Sequence, residues 1–371
     1  MFYTLLKILG RLALKLYCRN IYTTGLPALR QDNPLLLASN HPNSFLDAVI
    51  IASRCRRKTY ILVRGDVFSH KWSNWFLQRL FCLPIYRIRD GRTLLEQNTV
   101  TFKKCIAVFK QKNNVLIFCE GNCENEWTLR ALGKGTARIA SMASQHPELK
   151  NTLQVIPVGI TYQDFDHIGK KVFLRAGQPL PEIIPQDDNN GKGLNSFNLL
   201  LHEQLWHLIL HVPPDPESIR RFQLLMENIH IKEERKLIAC FKELQEQINC
   251  LPQKDKGTLL PNPSGVNRQQ TAGQILLSPF AVAGWIIHAP LYYPLTLLAR
   301  KKTAGTVYYD SVLFGLLFFT YPLYLIVLSI LLTYITGIYW CWLILLIVPV
   351  LAFITVRAPL FSCANRYKIR S

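Results

Sequence analysis

"PLLLASNHPNSFLDAVIIAS", residues 34–53, runs from an apolar stretch through a polar break into a second apolar stretch. "PLLLAS" (34–39) is short, continuous and bounded by turn formers, as suits a fully buried strand. Pro42 disfavours helical backbone at His41. Beyond it, Ser44 with Asp47 three residues on makes a capping-box-like helix start, with Asn43 as the alternative cap. A helix is therefore expected over 44–53. His41 and Asp47 lie six positions apart, which on a regular helix is about 600°, so their side chains would point roughly 120° apart. With His41 in the loop and Asp47 in the first turn, that objection falls away, and Asp47 can accept the imidazole N–H. The other reading leaves Asp47 stabilising only the helix start, through cap and dipole.

Working outward, apolar runs of strand length alternate with helical patterns. Further strands are expected at 59–63, 83–87, 115–119, 154–161 and 171–177, and helices at 71–80, 93–110 and 133–145. This alternation predicts an α/β fold, a mixed sheet flanked by helices. Residues 178–195 read as a loop rich in Pro, Asp and Gly, and 196–250 as helices. No internal repeat is visible.

Polar residues cluster where the strands end. "LPIYRIRDG" places Arg87 and Arg89 after one strand, and "VLIFCEGNCENEW" places Glu120 and Gly121 after another. "RALGKGTARIA" sets Arg130 and Lys134 beside glycines at a helix start. Cations and exposed N–H groups of this kind suit an anion such as phosphate. In open α/β sheets, ligands bind just beyond C-terminal strand ends.

These segments, over roughly residues 35–180, resemble the glycerolipid acyltransferases, which include glycerol-3-phosphate and lysophosphatidate acyltransferases. "NHPNSFLD" is similar to the family's N-H-x4-D block, "PIYR" to its arginine block, and "FCEG" to F-P-E-G. "LGKGTA" is similar to the lysine-glycine element and "IPVGI" to the fourth block. The resemblance implies that His41 is a general base on an acceptor hydroxyl, oriented by Asp47, and that the hydroxyl attacks an acyl thioester directly. It implies an acceptor-binding set of Asn40, Arg87, Glu120 and Gly121, to which the cations Arg130 and Lys134 beside the glycines are added. It implies acyl-CoA or acyl-ACP as co-substrate, with no metal and no other cofactor.

The chemistry agrees, since an alcohol attacks well only as its proton is removed, and imidazole titrates near neutrality. The sequence departs from the family in three places. Five residues separate His41 from Asp47 (an H-x5-D spacing), Cys119 replaces the proline of F-P-E-G, and "GNCEN" lacks the usual Thr-Arg-Ser. Either Arg130 or Lys134 replaces that arginine, or the acceptor is not a simple phosphate monoester. The expected reaction is O-acylation of glycerol-3-phosphate or a lysophospholipid in phospholipid biosynthesis. The alternatives are O-acylation of a lyso-aminolipid, and a silent membrane-binding protein on the same fold.

The chain carries a net charge of +19 with 49% hydrophobic residues. Its basic residues are scattered and flank long uncharged stretches, which points to membrane lipids as partners and away from nucleic acid. Ten cysteines without a CxxC pair read as reduced thiols facing the cytosol. Residues 1–22 place Lys7, Arg11 and Lys15 four apart on an otherwise apolar helix. This predicts an interfacial helix with its cations toward headgroups.

From Ser311 to Val356 there is no Asp, Glu, Lys or Arg. As helix this stretch is roughly 69 Å, about twice a hydrocarbon core. Two membrane helices are expected, near 311–333 and 337–356, within a basic-flanked 300–371 segment. Basic residues on both outer flanks put the catalytic domain on the cytoplasmic face, at the cytoplasmic membrane in a bacterium. Residues 269–299 also lack charge, but Pro290 and Pro294 interrupt them, predicting a re-entrant or interfacial segment. The acyltransferase domain is expected over 23–182, with a helical extension over 183–268. "HEQLWH" (202–207) sets its histidines about 140° apart on a helix, so they do not share a metal. No G-x-S-x-G elbow occurs.

Overall fold

The computed structural model describes the chain except for residues 1, 88–89, 92, 94–95, 182–190, 228, 230–232, 250–276 and 359–371. In chain order its elements are α1 (Phe2–Tyr17), β1 (Asn20–Thr24), α2 (Leu26–Leu29), β2 (Leu35–Ser39), α3 (Ser44–Arg54), β3 (Thr59–Arg64) and α4 (Lys71–Arg79). Next come β4 (Cys82–Ile85), α5 (Asn98–Lys110), β5 (Asn114–Phe118), α6 (Gly135–Ser144), α7 (Pro147–Lys150), β6 (Gln154–Tyr162) and β7 (Lys171–Ala176). The remainder is helical: α8 (Lys192–Trp206), α9 (Pro216–Glu227), α10 (Glu234–Asn249), α11 (Ser278–Thr303), α12 (Tyr309–Thr336) and α13 (Ile344–Arg357).

Seven strands form one sheet in the order β1-β7-β6-β2-β5-β3-β4. β2 runs parallel to both β5 and β6, and β3 runs parallel to both β4 and β5. β6 and β7 are joined by only 163–170, too short for a crossover, and so form a hairpin. The sheet is therefore mixed. Leu35, Leu36, Leu37 and Ala38 are all fully buried. Parallel strands covered on both faces require such continuous apolar runs rather than alternation.

The chain divides into two compact units. The first comprises 1–8, 23–161 and 173–211 and holds the central strands. Its core packs Leu36, Val115 and Ile117 of the sheet against Phe109 of α5, Ile139 of α6 and Leu201 and Leu205 of α8.

The second unit comprises 9–22, 162–172 and 212–371. Buried charges in it are offset by ion pairs or, at Lys171, by the carbonyls of Glu227 and Ile229. Lys170 Nζ meets Asp310 Oδ2 at 2.6 Å, and the Tyr17 hydroxyl donates to the same carboxylate. Arg19 pairs with Glu227, whose other oxygen accepts from Gln163 Nε2 at 2.9 Å.

Two sequence expectations need correction. The cations of α1 do not all face outward: Lys7 Nζ donates to the carbonyls of Cys55 and Arg56. Those carbonyls follow the end of α3, where unpaired C=O groups and the helix dipole attract a cation. The exposed residues of α1 are mainly apolar: Phe2, Leu5, Ile8, Leu9 and Leu12. Second, Pro290 and Pro294 do not break the chain, because Ser278–Thr303 is one helix of 26 residues. The N–H missing at Pro290 leaves the Ile286 carbonyl without its helical donor, and at the next carbonyl, Ile287 O, the Tyr324 hydroxyl donates.

Among the described residues three helices are thus long and apolar enough to cross a membrane: Ser278–Thr303, Tyr309–Thr336 and Tyr339–Arg357. α11 and α13 touch closely at Gly284, where an added Cβ would lie 2.8 Å from Leu351 O and 2.3 Å from Thr355 Oγ1. Residues 269–276 of the expected re-entrant segment, and 250–268 of the helical extension, fall outside the described residues.

Candidate active site

The register of β2 against β5 builds the site. Ser39 pairs with Phe118, so His41 and Glu120, each two residues further on, emerge as neighbours beyond parallel strand ends. The Cys119 N–H bonds Ser39 O at 2.8 Å, and the His41 N–H donates to Glu120 Oε2 at 2.9 Å. The imidazole lies flat on the Phe118 ring, with centroids 3.7 Å apart and planes 14° apart. Asn40 clamps the loop from the other side. Its Nδ2 donates to Ile160 O at 3.0 Å, and its Oδ1 accepts the Ile160 N–H at 2.9 Å. With both ends of a buried amide on β6, Asn40 positions the loop.

α3 starts at Ser44, with Asn43 at the cap position but no side-chain cap bond. Instead Asp47, in the first turn, reaches back. Its Oδ2 accepts the Asn43 N–H at 2.8 Å and bonds His41 Nδ1 at 2.9 Å. The Asp47 side chain is fully buried, whereas that of His41 is 18% exposed. An ionised carboxylate only accepts, so Nδ1 is the donor in this bond, and in the neutral ring Nε2 is then the atom with the lone pair. Ser44 takes a positive φ of 47°, and its N–H lies 3.0 Å from Cys123 Sγ. Burial, with the Asp47 charge behind it, pushes the Cys123 thiol up to about 12. Cys119 is likewise raised to about 12 by burial, so neither offers a thiolate nucleophile near neutrality.

The cations are held differently from one another. Arg87 donates from its NH2 to Asp90 Oδ1 at 3.1 Å and from its NH1 to Asn122 Oδ1 at 2.8 Å. Hydrogen bonding to Arg87 holds the Asp90 carboxyl below the usual carboxylate range. Arg130 donates from one NH2 to Glu120 Oε2 at 2.8 Å and to Asn122 O at 2.6 Å. Glu120 Oε1 accepts the Arg130 backbone N–H at 3.0 Å. Both oxygens of Glu120 are therefore engaged within the protein. The two guanidiniums flank Asn122, one on its side chain and one on its carbonyl.

Gly121 has φ 70°, the left-handed region that lets the chain turn between Glu120 and Asn122. Lys134 is the exposed N-cap of α6, and no hydrogen bond among the described residues ties it to this cluster. Arg89 lies outside the described residues. Of the residues singled out from sequence, the fold brings together His41, Asp47, Arg87, Glu120, Gly121 and Arg130. Sequence reasoning missed Phe118, Asp90, Asn122 and Cys123. The period-2 alternation of a strand placed Phe118 on the same side as Glu120 and was the available signal.

Comparison with known proteins gives three results. Residues 20–161 match the family described as Acyltransferase. Among curated proteins, none matches the chain. The solved structures include a 1-acyl-sn-glycerophosphate (LPA) acyltransferase, PlsC, from Thermotoga maritima, at 15% identity. The match covers 62% of this chain and 81% of that one, with a TM-score of 0.39.

Proposed function

We propose that this protein, whose residues 20–161 match the family described as Acyltransferase, moves a fatty acyl group from a thioester to a glycerolipid hydroxyl, with His41 as general base. The observation that carries the reading is the His41 Nδ1–Asp47 Oδ2 bond of 2.9 Å, made by a fully buried carboxylate. In the neutral ring it leaves Nε2 as the basic atom.

In the reaction, the acceptor hydroxyl gives its proton to Nε2 as its oxygen bonds the thioester carbonyl carbon. The buried carboxylate stabilises the imidazolium as it forms. Collapse of the tetrahedral intermediate breaks the C–S bond, and the imidazolium returns the proton to the departing thiolate. A thioester has a good leaving group, so positioning and polarisation dominate. Acyl-CoA and acyl-ACP both supply that chemistry. Arg87 and Arg130 are the cations for an acceptor anion.

A second reading has its own observation. Each guanidinium already carries a carboxylate partner, Asp90 or Glu120. That charge balance suits an acceptor with less negative charge than a phosphate monoester, such as a lyso-aminolipid. A panel of acceptors with acyl-CoA or acyl-ACP, run on the membrane-reconstituted chain, separates the two. His41→Ala is expected to abolish transfer to every acceptor. Full transfer by that variant would refute the mechanism. Transfer confined to phosphate-free acceptors would select the second reading.

A further inference from the structure

None of the nine residues of α4, "KWSNWFLQR", is buried. Trp72 is 72% exposed and Trp75 54%. The exposed positions Lys71, Trp72, Trp75, Gln78 and Arg79 form one stripe; Leu77, opposite it, is half-buried, and half-buried Phe76 flanks the stripe with its ring stacked on Trp72 at 5.6 Å. Tryptophan carries a large apolar area with one polar edge, and two such rings left side by side on a helix mark a surface that meets a partner. The same stripe holds two cations and no acid. The Arg79 guanidinium sits over the Trp75 ring at 4.1 Å, so cation and aromatic occupy one level.

α4 is fixed to its unit rather than loose. Phe81, held at φ 61°, receives the rings of Tyr3 at 5.2 Å and Tyr60 at 5.4 Å, both edge-on. The Tyr3 hydroxyl accepts the Thr59 N–H at 3.0 Å. Through Tyr3 the first turns of α1 are docked on the same hub, presenting exposed Phe2, Leu5 and Ile8. Neither α1 nor α4 contains Asp or Glu.

We propose that α4, with the first turns of α1, seats in the headgroup layer of an anionic lipid bilayer. Tryptophan at headgroup depth with cations beside it is the pattern of an interfacial helix. Charge chooses the occupant. Anionic lipid neutralises Lys71 and Arg79, whereas a second copy meeting this face symmetrically would set cations against cations. The same chain carries helices apt to cross a bilayer. β4 begins three residues after α4 and ends two residues before Arg87, so the seated helix leads into the candidate site.

The test uses the full chain in proteoliposomes containing brominated phosphatidylglycerol or brominated phosphatidylcholine, with tryptophan emission as the readout. Two of the chain's seven tryptophans are removed in a Trp72→Phe/Trp75→Phe variant. Subtracting its emission from that of the wild type isolates the α4 signal, and circular dichroism checks the fold. The expected difference signal is blue-shifted and quenched, more by the anionic lipid, since each cation near the surface enriches anionic lipid roughly fivefold. Lys71→Gln/Arg79→Gln should bring the two lipids level. An unquenched red signal, from water, would overturn the proposal. So would an unquenched blue signal, from a protein partner or second copy. Equal quenching of the wild type by both lipids would overturn the anionic assignment. On the unsubstituted chain, aqueous iodide should quench less in vesicles than in detergent, and equal quenching would count against the proposal.

Discussion

Replacing Asp47 by asparagine removes one charge and almost no volume. Asp47 Oδ2 holds two donors, the Asn43 N–H and His41 Nδ1–H, inside a fully buried position. An amide oxygen in the same place keeps both bonds, so the loop and helix start survive. What it loses is the attraction to the imidazolium that forms, in the proposed reaction, as the hydroxyl is deprotonated. Unit charges about 4 Å apart at an effective dielectric of about 20 attract by about 4 kcal/mol. Each 1.36 kcal/mol is tenfold in rate, so kcat should fall by about 10³. If the amide flips, its NH2 opposes both donors, the imidazole adopts the other tautomer, and the loss is greater still. Stability should fall by only about 1–2 kcal/mol, the difference between charged and neutral hydrogen bonds. The assay is steady-state acyl transfer by the reconstituted chain, reading kcat and KM separately, with thermal unfolding as the fold control. A correctly folded Asp47→Asn with kcat within about fivefold of wild type would refute the reasoning.

Three further predictions follow from single contacts. Phe118→Leu removes the ring on which the imidazole lies and should cost about 1 kcal/mol in the transition state, roughly fivefold in kcat with KM little changed. An unchanged kcat would leave the stack without a role. Cys123, with its thiol raised to about 12, should react with iodoacetamide only slowly at neutral pH and faster as pH climbs toward that value, since the thiolate is the nucleophile. Rapid pH 7 labelling in mass spectrometry would contradict this. Gly284→Ala drives a methyl against Leu351 O and Thr355 Oγ1 and should cost about 1–3 kcal/mol, seen as a lower melting temperature of the detergent-solubilised protein. An unaltered melting temperature would mean the helices separate there at no cost.

Much of the first unit was legible because its strands are buried on both faces and short. "PLLLAS" and "VLIFC" read as strands since nothing but apolar residues fits a parallel sheet between helix layers. The helix at Ser44 was legible from Pro42 and the polar residues after it. β1 was missed, because "NIYTT" has neither a continuous apolar run nor sustained alternation. The continuity of α11 was also missed. Proline's local rule predicts a break, and the hydroxyl that bonds a carbonyl in this turn, Ile287 O, comes from Tyr324, 37 residues away.

By itself, then, the sequence determined the alternation of strand and helix and the apolar helices near the C-terminus, and it left a loop histidine free to pair with a first-turn carboxylate. These depend on spacing and on backbone preferences a few residues wide. Only the tertiary structure decided which polar atoms meet across the sheet. Glu120 ties the His41 loop to Arg130 because the β2–β5 register brings residues 79 apart within 2.9 Å. Arg87 faces Asn122, not a strand neighbour, because β4 ends beside that loop. Lys7 turns toward Cys55 and Arg56 because the end of α3 offers unpaired carbonyls there. A local pattern says which side of a helix is apolar. What that side packs against is set by contacts between segments the pattern does not connect.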